Sequence, residues 1–420
     1  MFSQQIELRG HIIDSLILPR VLDEILSHGG DFNIRQMQVG RRRTDPSYAR
    51  IEVFGPTPEF VDDLVRRLRQ HGAEVVQEAD VQLAPAPADG VFPEHFYVTT
   101  NQQTFVHWDG QWIEVKPATM DCGICVDPAA RTATTVKFSG VRKGMLFAVG
   151  HQGIRVAPVQ RSVQRPSVFE FMASSVSSEK PKSAVIREIA AEFHRAKQSG
   201  GKILVVAGPA LVHTGASEHF ERLIEWGYVD VLFSGNALAV HDAEHALFGT
   251  SLGVYLERAV LADEGHENHM RTINAIRAQG GLRATVEKGL LRKGIFFQCV
   301  RHGVDFVLAG SIRDDGPLPE VITDVVEAQR AMRARLDGVS IALMMGTMLH
   351  SIAVGNLLPA SVKTICVDIN PSVVTKLTDR GTFQAIGLVT DIEPFLRELT
   401  GFLREPSQLT ESEKAATPTR

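Results

Sequence analysis

The sequence is poor in cysteine, poor in aromatic residues and free of long apolar runs. Its 420 residues include four cysteines and 7% aromatic residues. Four cysteines in a chain of this length do not make a disulfide framework, so we expect a reduced protein. No apolar run reaches the roughly 18 residues that a membrane span needs. The N-terminus, MFSQQIELRG, is too polar for a signal peptide, and we therefore expect a cytoplasmic protein without membrane contact.

An excess of positive charge is also absent. Lys and Arg number 44 against 49 Asp and Glu, which gives a net charge of −5. A nucleic-acid partner requires a positive surface, so this composition argues against one. Apolar residues make up 44% of the chain and charged residues 22%, as in globular proteins. The length predicts two or three domains.

Residues 1–85 follow the pattern β-α-β-β-α-β. QQIELRGHII alternates as a strand does, and helical patterns follow at LILPRVLDEILSHGG and TPEFVDDLVRRLRQHGA. Thr57 stands where it would cap the second helix. This order predicts a ferredoxin-like α+β module.

A segment rich in proline, alanine and glycine, APAPADGVFPE, then precedes several short strand-like pieces. These pieces predict a small β-rich domain at 95–175. The domain contains Cys122 and Cys125 in a C-x-x-C spacing. A structural zinc site needs a second ligand pair and a redox site needs a helix after a strand, so we interpret this spacing as chance.

From residue 183 helices alternate with β-branched strands. This alternation predicts a mostly parallel, Rossmann-like α/β sheet domain at 183–404, covered by helices on both faces. The remaining residues, 405–420, are polar and predict a disordered tail.

Within this domain, residues 339–370 indicate a nucleotide-binding crossover of strand, turn, helix and strand. The turn falls at Gly346-Thr347, and Asp368 closes the second strand. A helix N-terminus after such a turn favours a phosphate. An acidic residue about 20 positions later accepts hydrogen bonds from adenosine ribose and repels a 2′-phosphate, which favours NAD over NADP. The G-x-G-x-x-G pattern is missing, so an ordinary βαβ unit in which Asp368 caps a helix at Pro371 stays open.

Small and polar residues also follow the other strands of this domain. Ligands of open α/β sheets bind beyond the carboxyl ends of the strands. These ends contain His213, Asn236, Ala237, His241, Asp242, Arg313, Asp314, Asp315, Asp391 and Ile392. Any one such turn could simply end a strand or cap a helix, but these four strand ends together with those at Gly346 and Asp368 make six, and six together favour a dinucleotide site.

Four stretches of the sequence resemble the NAD-dependent ornithine cyclodeaminases of archaeal type. They are FNIRQMQVGRRRTDPSYARIEV, SGNALAVHDAEHALFGTSLG, GSIRDDGPLP and MMGTMLHSIAVGNLLP. The same module forms the C-terminal part of the cyanobacterial bifunctional arginine dihydrolase/ornithine cyclodeaminases. The N-terminal unit resembles a region named after lysine-ketoglutarate reductase/saccharopine dehydrogenase.

This resemblance implies conversion of L-ornithine to L-proline and ammonia. Hydride would pass from the α-carbon to NAD+, the δ-amine would close the ring with loss of ammonia, and hydride would return to the cyclic imine. We also expect a homo-oligomer, and no arginine hydrolysis because no dihydrolase domain precedes the module. The NAD-binding residues that the resemblance implies are Asn236, Ala237, Asp315, Thr347, Met348, Leu349, His350, Asp368, Asp391 and Ile392.

A general base is needed to keep the amines neutral, and the catalytic candidates are Asp314, His241 and Asp242. Arg313 is the candidate partner of the substrate α-carboxylate, through a bidentate contact. All four could instead be capping or surface residues. No metal site is expected. Two other functions stay open: an NAD-dependent amino-acid dehydrogenase that releases NADH, and a non-catalytic protein that senses NAD or an amino acid.

Overall fold

The protein is described from a computed structural model. The structure describes residues 2–13, 15–42, 45–75, 80–157, 182–256, 260–262, 266–314, 317–379 and 385–403. The chain divides into two compact units, one of residues 1–171 and 356–361 and one of residues 172–355 and 362–420. The tail at 405–420 lies outside the described residues, and the finer domain boundaries stay predictions.

The first unit begins with the ferredoxin-like module. Its elements are β1 (Phe2–Gly10), α1 (Ile17–Ser27), β2 (Asp31–Gln38), β3 (Ser47–Gly55), α2 (Pro58–Arg69) and β4 (Glu74–Val75). The antiparallel sheet has the order β2-β3-β1-β4, which confirms the predicted α+β topology. Helix α2 begins where Thr57 Oγ1 accepts a hydrogen bond from the Phe60 amide at 3.2 Å.

The β-rich part of the same unit is a seven-stranded sheet. Its strands are β5 (Gln82–Pro85), β6 (Gln103–Trp108), β7 (Gln111–Lys116), β8 (Gly123–Asp127), β9 (Thr132–Val136), β10 (Leu146–Val149) and β11 (Ile154–Ala157). The order is β11-β6-β7-β9-β8-β10-β5, around a core that includes Val106, Val115 and Ile124. Cys122 and Cys125 belong to this part, and no disulfide bond joins them.

The second unit is built on a parallel seven-stranded sheet. Its strands, with a short hairpin sheet between them, are β12 (Lys202–Ala207), β13 (Val231–Gly235), β14 (Thr250–Ser251), β15 (Val254–Tyr255), β16 (Val260–Leu261), β17 (Asp305–Ala309), β18 (Val321–Ile322), β19 (Val339–Met345), β20 (Lys363–Asp368) and β21 (Ala385–Val389). The order of the parallel sheet is β18-β17-β13-β12-β19-β20-β21. The chain leaves β12 toward one edge and returns at β19, so the topological switch point lies between β12 and β19.

Helices connect these strands. They are α3 (Lys182–Gln198), α4 (Ala210–His213), α5 (Ser217–Glu225), α6 (Asn236–Phe248), α7 (His266–Gln279), α8 (Leu282–Glu287), α9 (Ile295–His302), α10 (Val325–Arg333), α11 (Met348–Gly355), α12 (Pro371–Asp379) and α13 (Ile392–Phe402). None of these described helices has the length and apolar character needed to cross a membrane.

The predicted crossover is confirmed as β19, α11 and β20. Residues Ile341 to Met345 of β19 are all buried, because a parallel strand in the middle of this fold is covered on both faces. The sequence pattern did not predict the short β14–β16 sheet, whose strands have only two residues each.

Candidate functional site

Three strand ends meet closely at the switch point because glycines stand at the contacts. A Cβ atom on Gly208 would lie 2.1 Å from the carbonyl oxygen of Gly346. Gly346 itself has a φ of +59°, in the left-handed region that favours glycine, and a Cβ there would lie 2.6 Å from Ile392 Cδ1. His350 packs over Gly235, where a Cβ would lie 2.8 Å from its Cε1 atom. The ends of β12, β13 and β19 therefore form one site.

Helix α11 begins directly after this turn. The first amides of a helix have no partner within it and lie at the positive end of its dipole, so they suit an anionic phosphate. Leu349 and Ile369 beside the turn are 72% and 73% exposed. Both exposed apolar side chains follow strand ends of the parallel sheet, Leu349 after β19 and Ile369 after β20.

His350 connects the turn to its surroundings. Its Nδ1 atom lies 3.4 Å from Thr347 Oγ1. Burial lowers the pKa of His350, while the nearby Asp314 carboxylate acts in the opposite direction. The imidazole is therefore neutral near pH 7. A neutral imidazole can donate one hydrogen bond and accept another, and it adds no charge to the site.

Asp368 ends β20 at the place where a dinucleotide fold holds the adenosine ribose. Its Oδ1 atom accepts a hydrogen bond from the Asn370 amide at 2.8 Å. In the described part of the chain no other donor contacts this carboxylate. Asn370 Oδ1 in turn accepts from the Ser372 amide at 3.0 Å, in the first turn of α12. Asn370 thus provides the side-chain contact to that helix, and Asp368 keeps an oxygen for a ligand.

Four further cofactor candidates border the same strand ends. Asp391 caps α13 through its Oδ1 atom, which accepts from the Ile392 amide at 2.6 Å. Ile392 is buried against the Gly346 turn. Asn236 begins α6, and its Oδ1 atom accepts from the Leu318 amide at 3.0 Å. Ala237 follows it and is partly exposed.

The loop after β17 carries two candidates for contact with the substrate. Asp314 Oδ2 accepts from the Ser311 amide at 2.7 Å and holds the loop in a tight turn. Arg313 is exposed, and its amide donates to Ser311 Oγ at 3.0 Å. The end of β17 lies beside His350, because a Cβ atom on Gly235 would lie 2.8 Å from His350 Cε1 and 3.3 Å from the Ala309 carbonyl oxygen. Asp315 lies outside the described residues.

Asp242, the third base candidate, accepts hydrogen bonds from the start of another helix. It is 1% exposed, and its two carboxylate oxygens accept from the amides of Ile295 and Phe296 at 2.8 and 3.0 Å. Burial raises the pKa of Asp242 to about 7, although both amide bonds oppose this effect. The geometry makes Asp242 the anchor of the first turn of α9.

His241 lies in a group that we name the histidine–glutamate cluster: His213, His241, Glu244 and His269. His241 and Glu244 stand three positions apart on one face of α6, and His269 comes from α7. The Nδ1 atoms of His241 and His269 each lie 3.5 Å from Glu244 Oε2. The rings of His241 and His269 are 4.9 Å apart, and those of His213 and His241 are 4.6 Å apart.

Glu244 is fully buried within this cluster. Its Oε1 atom accepts from Thr250 Oγ1 at 2.9 Å and from the Gly253 amide at 3.1 Å. Burial alone would raise the pKa of Glu244, but contacts with His241 and His269 and these hydrogen bonds outweigh burial and hold it well below its usual range. The carboxylate is therefore ionised. The sequence interpretation missed both Glu244 and His269.

His213 links the cluster to the end of β12. Its Nδ1 atom lies 2.8 Å from Ser251 Oγ, in the short β14–β16 sheet. Burial is the main reason that the pKa of His213 is lowered. The i,i+3 spacing of His241 and Glu244 was a visible signal, but the approach of His269 depends on how α7 packs.

A parallel sheet with a glycine-lined switch point, a helix N-terminus beside it and a carboxylate at the end of the next strand defines a dinucleotide-binding Rossmann-fold protein. Residues 187–399 match the family described as arginine dihydrolase ArgZ-like, C-terminal, Rossmann fold. Residues 103–186 match the first region of the same C-terminal part, and residues 3–102 match the conserved region of the LOR/SDH bifunctional enzyme. The chain belongs to the ArgZ-like C-terminal family, to which it shows this similarity over most of its length.

Individual relatives agree with this assignment. The chain is 56% identical over 404 residues to an ornithine cyclodeaminase of Methanopyrus kandleri, covering 96% of this chain and 97% of that protein. It is similar to the crystal structure of apo ArgZ, an arginine dihydrolase from the ornithine-ammonia cycle in cyanobacteria, with a TM-score of 0.81 and 35% identity over 97% of this chain and 59% of that one. It is also similar to the ternary complex of AgrE with ornithine and NAD+, with a TM-score of 0.52 and 41% identity over 96% of this chain and 58% of that one. The predicted family and the predicted Rossmann-like fold are confirmed.

Proposed function

We propose that this protein is an NAD-dependent ornithine cyclodeaminase that converts L-ornithine to L-proline and ammonia. The observation that carries the proposal is the dinucleotide-type switch point, found in a chain that is 56% identical to an ornithine cyclodeaminase over nearly its full length. The relative AgrE has been crystallised with ornithine and NAD+ together. Both ligands of the proposed reaction are therefore ligands of a relative.

The residues around the Gly346 turn fit NAD. The amides at the start of α11, over Thr347, Met348 and Leu349, would hold the pyrophosphate. Asp368 would accept hydrogen bonds from the adenosine ribose through its remaining oxygen, and its charge would repel the 2′-phosphate of NADP. Asn236, Ala237, Asp391 and Ile392 border the same space at the ends of β13 and β21.

When bound, NAD+ supplies a hydride acceptor that takes hydride from the α-carbon of ornithine and gives it back, so the overall reaction is redox-neutral. The protein must keep the cofactor in place between these two transfers. It must also keep the reacting amines neutral, because a protonated δ-amine has no lone pair with which to close the ring.

Among the three base candidates, Asp314 has the most suitable position. It is half-buried in the loop after β17, and one hydrogen bond from Ser311 orients its carboxylate. Arg313 next to it is exposed and can form a bidentate contact with the substrate α-carboxylate. Asp242 is committed to the amides of α9, and His241 is enclosed by Glu244 and the other imidazoles.

An amino-acid dehydrogenase and a non-catalytic NAD or amino-acid sensor are the competing functions. The experiment is to incubate the purified protein with L-ornithine and a small, substoichiometric amount of NAD+, and to measure proline, ammonia and NADH. We expect many equivalents of proline and ammonia for each NAD+, with no net NADH. Accumulation of one NADH per ornithine consumed would favour the dehydrogenase, and binding without turnover would favour the sensor. The homo-oligomeric state and the cytoplasmic location stay predictions.

A further inference from the structure

The histidine–glutamate cluster contains a set of atoms that the proposed reaction does not use. His241 and Glu244 lie on α6 and His269 lies on α7, and each side chain offers one ligand atom. These three atoms all lie within 4.8 Å of one another. We propose that His241, Glu244 and His269 bind a divalent transition-metal ion, with Zn2+ as the favoured ion. This site goes beyond the proposed function and does not rest on it.

The strongest observation is that two buried nitrogen atoms lack hydrogen-bond partners. The Nδ1 atoms of His241 and His269 are both buried, and within the described residues neither forms a hydrogen bond. Burying a polar atom costs folding free energy unless the atom forms a hydrogen bond or binds a metal ion. His241 as a whole is 6% exposed, so bulk water does not serve that purpose.

The distances favour a shared ion over a direct hydrogen bond. Both Nδ1 atoms lie 3.5 Å from the same oxygen, Glu244 Oε2. A charge-assisted N–H···O bond would be shorter, at about 2.7–2.9 Å. Ligand atoms that surround a tetrahedral Zn2+ at about 2.0–2.1 Å are separated from one another by about 3.3 Å. The two nitrogen-to-oxygen distances are therefore close to those between ligands of one metal ion, and all three ligand atoms lie within 4.8 Å of one another.

The neighbours of Glu244 hold its carboxylate in one orientation. Its Oε1 atom accepts from Thr250 Oγ1 and from the Gly253 amide, and Thr250 Oγ1 also accepts from Asn268 Nδ2 at 3.0 Å. Oε2 accepts one longer hydrogen bond, from the Leu252 amide at 3.3 Å, and keeps a lone pair toward the imidazoles. Outer hydrogen bonds of this kind orient the ligands of metal sites.

The donor set decides the class of ion. Two imidazole nitrogens and one carboxylate suit Zn2+ better than Mg2+ or Ca2+, which prefer oxygen ligands. Three protein ligands leave one tetrahedral position for water or another small ligand. A divalent ion would also balance the buried negative charge of Glu244. A metal ion bound to His241 Nδ1 would occupy its lone pair. This nitrogen could then not accept a proton from the substrate, as a general base must.

The test measures metal binding by the full-length protein without ornithine. The protein is stripped with a chelator, dialysed, and titrated with Zn2+ and separately with Co2+, with bound metal counted by elemental analysis. We expect about one equivalent of Zn2+ and visible d–d absorption when Co2+ is bound. His269→Asn should weaken metal binding at least about tenfold. Loss of a residue that only hydrogen-bonds to a metal ligand already weakens binding by about 10–100-fold, and His269 is proposed as a ligand itself.

His302→Asn is the matched control, because it removes an exposed histidine of α9 and leaves the cluster intact. It should bind the metal as the unmodified protein does. His269→Asn keeps the hydrogen bonds of Glu244, and circular dichroism verifies that this variant is folded. A stripped, folded protein that binds no equivalent of either metal would overturn the site, as would equal affinity in His269→Asn and the unmodified protein. Either result leaves the cyclodeaminase proposal standing, because the assay contains no substrate.

Discussion

The turn after β19 and the histidine–glutamate cluster belong to the same unit but are built in opposite ways. The turn consists of backbone, with Gly346 in a left-handed conformation and the exposed side chain of Leu349 beside it. The cluster consists of buried side chains, with the charge of Glu244 fully enclosed. The exposed turn can bind a large ligand, whereas the buried cluster has room only for a small ligand such as an ion. This difference leads us to assign the dinucleotide to the turn and an ion to the cluster.

The largest loss of turnover should come from substitution of Asp314. This substitution tests whether the reaction takes place beside the turn after β19 or at the histidine–glutamate cluster. Asp314→Asn removes the proposed base but keeps an oxygen that can accept from the Ser311 amide. We expect turnover to fall roughly 10²–10⁴-fold while NAD still binds, which steady-state kinetics and NAD titration would measure. Asp337→Asn, at an exposed position of the same unit, should keep full turnover. Unchanged turnover in Asp314→Asn would exclude it as the base and move attention to the cluster.

A smaller effect is expected from Asp368, which tests the ribose contact. Asp368→Ala should weaken NAD binding by about 1–3 kcal/mol, the scale of a lost hydrogen bond to a charged group. It should also reduce the preference for NAD over NADP, since the repelling charge is gone. Calorimetric titration with both cofactors would measure these changes, with Asp337→Ala as the control. The same NAD affinity before and after the substitution would remove Asp368 from the site.

The sequence was sufficient for the parts of the protein that depend on local patterns. The alternation of helices and strands, the break at Gly346 and the position of Asp368 at a strand end are all visible in consecutive residues. The capping alternative for Asp368 could not be decided from the sequence. Asp368 and Asn370 both precede Pro371, and only the hydrogen bonds show that Asn370 contacts the first turn of α12.

Long-range packing explains what the sequence interpretation missed. Asp242 followed a polar strand end as a catalytic residue would, but its partners are the amides of Ile295 and Phe296, more than fifty positions later. Glu244 became part of a cluster only because His269 approaches it from another helix. No periodicity within α6 indicates either contact.

In the proposed reaction, hydride is removed from ornithine and returned within one catalytic cycle. The most direct measurement uses L-ornithine deuterated at the α-carbon, ordinary water and unlabelled NAD+, with the proline product analysed by mass spectrometry and NMR. If hydride is taken from the α-carbon and returned to the same atom, proline keeps the deuterium at its α-carbon. Proline that has exchanged the label for solvent hydrogen, or deuterium that accumulates in free NADH, would contradict this account.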